Sequence, residues 1–162
     1  KKVAIIMGSD SDWPVVKGAC TVLKDFGVPY EAHILSAHRT PEAAAAFARS
    51  ARAEGYGVIL CAAAWPHTWP VPLPPTPPCR CGHPDEGRRH GRSGRLLATV
   101  QMPSGFPVAT VALNGAKNAA YLAVAILAVA DDELAAKLDS FRADTAAAIA
   151  EDAAIAAEAA AL

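Results

Sequence analysis

A three-layer α/β fold with a mostly parallel sheet is what this chain of 162 residues predicts, and three features point to it. Short, uninterrupted apolar runs recur, as expected of strands buried on both faces. The first two are each followed by a helix signature that opens on a capping residue and Pro and closes on Gly. The resulting order, βαβαβ and then βα, is that of a sheet with helices on both faces.

KVAIIM (Lys2–Met7) is the first strand. GSDSDWPVVKGACTVLKDFG then opens a helix, with Asp12 as N-cap, Pro14 in the first turn where a missing N–H costs nothing, and Gly27 as the stop. YEAHILS is a second strand. AHRTPEAAAAFARSARAEG repeats the grammar, with Thr40 as N-cap, Pro41 at the first helical position and Gly55 as the stop. YGVILCA is a third strand. After an anomalous segment, PVATVAL reads as another strand and AAYLAVAILAV as a buried helix. From Asp131 to Leu162 a long helix is expected, capped by Asp131 or Asp132. It carries Leu134, Leu138, Phe141, Thr145 and Ile149 at spacings of three to four, and its Ala-rich tail after Asp152 is expected to fray.

The totals describe one domain, 1–162, large enough to bury a core. Fifteen basic and sixteen acidic side chains give a net charge of −1, no global field for nucleic acid or anionic lipid, and leave small molecules as the expected partners. Val3–Met7 is too short for the apolar region of a signal peptide, and no apolar stretch is long enough to span a bilayer, so a soluble cytoplasmic protein is expected. Cys20 and Cys61 lie in apolar surroundings and are expected as reduced, buried thiols.

Residues 66–95 depart from this pattern. They hold eight of the thirteen prolines and five Arg against two acids, with no Ala, Ile, Met, Phe or Tyr, so irregular chain is expected throughout and the fold should be locally disrupted there. Cys79, Cys81, His83 and His90 are zinc-ligand types but lack the usual paired spacing, and no metal site is assigned. PVPLPPTPP could instead form a polyproline recognition linker.

In open parallel sheets, ligands sit outside the carboxyl ends of the strands. MGSDSDW places Gly8, Ser9, Ser11 and Asp12 there, before a helix N-terminus. Gly permits close backbone approach, hydroxyls and free N–H groups suit a phosphate, and Asp12 could accept from ribose hydroxyls; a capped turn without a ligand is the plainer reading. SAHRTP adds His38, which can titrate near neutral pH, and Arg39, whose planar fork suits a phosphate. Together the loops suggest a phosphorylated, sugar-like substrate undergoing proton transfer. His33, inside a strand pattern, reads as a sheet histidine.

VAIIMGSDSDW, ILSAHRTPE and QMPSGFPVATVALNGAKNAAYLAVAIL, in this order and spacing, resemble the class I N5-carboxyaminoimidazole ribonucleotide mutases of purine synthesis. The resemblance covers Lys2–Ala64 and Leu96 to about Ala150. It implies a flavodoxin-like enzyme, usually an octamer, that uses no metal, ATP or biotin. Such enzymes move a carboxylate from the exocyclic nitrogen to C4 of an imidazole ribonucleotide, by decarboxylation, retention of carbon dioxide and attack by the ring carbon. The resemblance makes His38 the proton shuttle and brings Ser9, Asp12 and Arg39 to the ribose phosphate portion, with Ser11 and Ser36 close by. Binding without turnover, or a generic flavodoxin-like nucleotide or flavin site, are the competing functions.

After the third strand the family has a loop of the type AGGAAHLPG and then a strand opening on LPV, and neither is written here. GC-rich alanine and glycine codons read one base out become proline and arginine. Back-translating from Trp65 with GC-rich codons and shifting by one base gives AAHLAGAPAAHTPLPV, so a local frame slip near Trp65, with the frame restored before Leu96, is the expected origin of the segment.

Overall fold

The computed structural model describes residues 1–63, 78–82, 100–151 and 153–161; of residue 63, residues 78–82 and residues 150–156 the side chains are outside the description. Five strands, β1 (Lys2–Met7), β2 (Tyr30–Ile34), β3 (Tyr56–Ala63), β4 (Pro78–Gly82) and β5 (Ala109–Leu113), form one sheet in the order β2-β1-β3-β4-β5. Every pairing is parallel. This is the flavodoxin-like strand order, with its reversal of direction between β1 and β3.

Helices α1 (Trp13–Asp25), α2 (Pro41–Ser50), α3 (Ala116–Ala128), α4 (Asp132–Glu151) and α5 (Ala153–Ala160), with a 3₁₀ turn at Asp10–Asp12, complete the described elements. The pleat sends Val3, Ile5 and Met7 of β1, with Val58, Leu60 and Ala62 of β3, to the face covered by α1, α3 and the first turns of α4. Ala4 and Ile6, with Ile59 and Cys61, face the other way, onto Ala44 of α2, with Phe47 packed at the margin. Both faces of β1 and β3 are therefore dry, which explains why their sequences run apolar without alternation.

Most boundaries shift by only a few residues. Gly27 takes φ 71° just after α1, and Gly55 takes φ 86°, both in the left-handed region that favours glycine. α2 ends at Ser50, and turns carry the chain to Gly55. Asp131 is the cap of α4, its Oδ1 accepting from Leu134 N–H at 3.0 Å. The C-terminal helix expected over 131–162 is described as α4 and α5, on either side of residue 152, which lies outside the description.

One expectation fails. Residues 66–95 were expected to be irregular, yet Pro78–Gly82 is a strand, paired without interruption to β3 and, with a register shift between Arg80 and Gly82, to β5. Pro78 is its first residue, the position at which a sheet tolerates a missing N–H. The slot between two parallel neighbours, rather than the propensity of PCRCG, sets this strand. The other residues of that segment, His83 and His90 included, and the side chains of Cys79 and Cys81 lie outside the description, and with them the zinc and polyproline readings.

Candidate active site

β1 and β2 are neighbours and parallel, so the loops that follow them leave the sheet side by side at its carboxyl edge. Backbone pairing continues one step beyond β2, with Leu35 N–H donating to Met7 O at 2.9 Å.

The first loop turns sharply. Ser9, in extended conformation, caps a short 3₁₀ turn (Asp10–Asp12) that leads directly into α1. Its hydroxyl accepts from Ser11 N–H at 3.4 Å and donates to Asp10 Oδ1 at 2.9 Å, while Asp12 Oδ2 accepts from Ser9 N–H at 3.2 Å. This reciprocal pair is a capping box. Asp12 was expected to cap α1, but its carboxylate reaches back to Ser9 instead and makes no cap bond to the helix. It is also buried, only 3% exposed, which fits a carboxylate held by backbone donors. Gly8 and Ser9 are half-buried and Ser11 is exposed. A Cβ on Gly8 would meet nothing closer than Asp12 Oδ2 at 4.0 Å, so among the described residues the space beside this backbone is open.

In the second loop, Arg39 N–H donates to Ser36 Oγ at 3.2 Å and Thr40 N–H to Ser36 O at 2.7 Å. Thr40 was expected to cap α2. Its hydroxyl makes no cap bond and turns to Ser36 instead, accepting from Ser36 N–H and donating to Ser36 O, both at 3.0 Å. Spacing alone could have shown this, because a Ser and a Thr four residues apart flank the His-Arg pair. The Arg39 guanidinium donates through Nη2 to the carbonyl oxygen of Gly8, joining the two loops. His38 is exposed, and among the described residues no hydrogen bond is made to its ring.

The structure thus brings Gly8, Ser9, Ser11, Asp12, Ser36 and Arg39 into two loops that touch, with His38 next to Arg39 on the open side. Hydroxyls and a guanidinium beside the start of a helix are a donor set that suits an anion, and an exposed imidazole is placed to exchange a proton with a bound molecule. His33 is elsewhere: its ring lies 4.9 Å from that of Phe47 and its Nε2 lies 3.3 Å from the Tyr56 hydroxyl, the setting of a sheet histidine. A cleft of about 350 Å³ lined by Phe26, Val28, Gly57, Leu127 and Lys137 lies at the amino ends of the strands and includes none of the loop residues. Among the described residues, no helix is long and apolar enough to cross a membrane.

Strand order and the meeting of these loops define a flavodoxin-like α/β protein with a polar site at the carboxyl ends of its first two strands. The family model described as AIR carboxylase matches residues 2–148. The chain belongs to that family. It is 45% identical over 143 residues to the N5-carboxyaminoimidazole ribonucleotide mutase of Brucella melitensis, covering 86% of this chain and 88% of that one. The mutase of Pyrococcus abyssi is 46% identical over 144 residues, with 88% and 83% covered. Phosphoribosylaminoimidazole carboxylase of Saccharomyces cerevisiae is 46% identical over 140 residues, 86% of this chain and 24% of that longer one. In structure the chain resembles Treponema denticola PurE, with a TM-score of 0.81, 27% identity, and 94% and 96% of the two chains covered.

Proposed function

We propose that the chain, acting as one mutase domain over 1–162, converts N5-carboxyaminoimidazole ribonucleotide to 4-carboxy-5-aminoimidazole ribonucleotide in purine synthesis, in the cytoplasm and as a homo-oligomer. The observation that carries the proposal is the bond from Arg39 to the Gly8 carbonyl, which makes one donor surface of two loops. Ser9, Asp12 and Arg39 hold the ribose phosphate portion, with Ser11 and Ser36 close by, and Gly8 lets the ligand approach the backbone. His38 stands over the reacting ring. As the carboxylate leaves the exocyclic nitrogen as carbon dioxide, the imidazolium gives that nitrogen a proton. Ring C4 attacks the retained carbon dioxide, and the neutral imidazole takes the C4 proton, so His38 ends as it began. Exposed Trp13, Phe106, Val129 and Ile149 offer apolar surface for contacts between subunits. Eight copies, as in the mutases it resembles, is the expected assembly, and light scattering reads it.

The test is a turnover assay with N5-carboxyaminoimidazole ribonucleotide alone, without ATP or added metal. Formation of the C4-carboxylated product supports the proposal. Tight binding of that product with no turnover would make the chain a binding protein, and a yellow protein carrying flavin would overturn the ligand class.

A further inference from the structure

We infer that Thr40 is a positioning residue, whose hydroxyl closes the Ser36–Thr40 loop into a ring that presents Arg39 to the phosphate of the ligand. The inference deepens the mutase reading and rests on it for the ligand. Three hydrogen bonds join Ser36 to Thr40, and two of them use the Thr40 hydroxyl, as acceptor from Ser36 N–H and as donor to Ser36 O, each at 3.0 Å. A fourth bond, from Arg39 N–H to Ser36 Oγ at 3.2 Å, fixes the backbone of the arginine within the ring. From that backbone the guanidinium reaches the Gly8 carbonyl across the two loops.

The sequence explains why this hydroxyl does not cap the helix. Pro41 opens α2, and a residue before Pro is steered out of the helical region; Thr40 has φ −135° and ψ 54°. Its side chain is therefore free to turn back along the loop. Without the hydroxyl, Ser36 N–H loses its acceptor, and of the four bonds only those from Thr40 N–H and Arg39 N–H to Ser36 remain. Arg39 would then sample several placements, and a planar fork must be oriented to grip a phosphate. His38, making no bond of its own among the described residues, depends on the same ring for its position.

The experiment compares Thr40→Val and Thr40→Ser with the wild-type chain by calorimetry, using 4-carboxy-5-aminoimidazole ribonucleotide and the riboside that lacks its phosphate, with melting temperature as a parallel measurement. Thr40→Val should bind the ribonucleotide about tenfold more weakly, with riboside affinity and melting temperature nearly unchanged, and Thr40→Ser should restore binding to within about twofold. A valine variant that binds the ribonucleotide like wild type overturns the positioning role alone. So does one that weakens both ligands equally while melting early, because that is the pattern of a purely structural residue. If the wild-type chain ignores the ribonucleotide, the mutase reading falls, and the role of Thr40 towards that ligand falls with it.

Discussion

Arg39 and His38 are adjacent, yet the tasks proposed for them should separate under substitution. His38→Asn should abolish isomerisation while leaving the circular dichroism spectrum and ribonucleotide binding intact, because the exposed imidazole makes no bond within the described chain. Near-normal turnover in this variant would remove the proton-shuttle role. Arg39→Ala should weaken ribonucleotide binding by on the order of 2 to 4 kcal/mol, the loss of a charge-assisted phosphate contact, and calorimetry reads it. The place of both residues just after the second strand was legible in the sequence, because a His and an Arg behind an apolar run can be located without knowing the rest of the fold. The N-cap positions of Asp12 and Thr40 were legible for the same reason, though neither side chain makes a cap bond. Each stands where a cap belongs, but the box formed with Ser9 and the restriction imposed by Pro41 redirect their side chains. Cys20 was read correctly as a buried thiol, and burial pushes it above its ordinary pKa. Iodoacetamide near neutral pH should therefore label it slowly in the folded chain and quickly after denaturation.

At the scale of elements, the end of the sheet opposite the site is tied by Lys2, Glu31 and Tyr56, which stand at the starts of β1, β2 and β3. Lys2 Nζ bonds Glu31 Oε1 at 2.5 Å, the Tyr56 hydroxyl donates to Glu31 Oε2, and the ammonium lies 4.1 Å from the centre of the Tyr56 ring. Lys2 foremost, and then Tyr56, hold the Glu31 carboxyl below its ordinary range, while Glu31 holds Lys2 above its own. A lowered carboxylate contributes stability above its unfolded value near 4.5, lost as pH falls through the folded value. A raised lysine contributes below 10.5, and that contribution is lost as pH rises through its folded value. Glu31→Gln should thus flatten the pH dependence of urea unfolding at both extremes, and a profile parallel to wild type would show the pair to be uncoupled. The turn from β5 into α3 is tighter still. Asn114 takes φ 58°, and a Cβ on Gly115 would stand 2.6 Å from Ala112 O, so Gly115→Ala should cost about 1 to 3 kcal/mol by urea unfolding. Elements with apolar runs and Pro/Gly punctuation were legible to within a few residues. β4 was not, because its place comes from two neighbours distant in sequence.

For the molecule as a whole, that fourth strand bears on where residues 66–95 came from. In the shifted reading, LPV falls on codons 78 to 81, within the strand that the topology places between β3 and β5. The DNA sequence across codons 64 to 96 should therefore carry compensating single-base changes relative to a frame-restored gene. The restored protein should melt higher and turn over at least about a thousandfold faster, as roughly one or two preorganised donors return at 2.7 to 4 kcal/mol each. Equal rates and equal melting temperatures would make the segment a genuine adaptation. The place of β4 also governs how the native protein opens. Within the sheet, β5 meets the other strands only through β4, whose first residue, Pro78, has no amide proton to offer. The sheet thus has a seam at β4: on one side β1, β2 and β3, on the other β5, whose Ala109 and Val111 are only partly buried at the margin of the first core cluster. Opening at this seam should precede global unfolding, as a separate cooperative unit. In deuterium-exchange mass spectrometry, peptides spanning 109–113 should exchange well before those spanning 3–7 and 58–62.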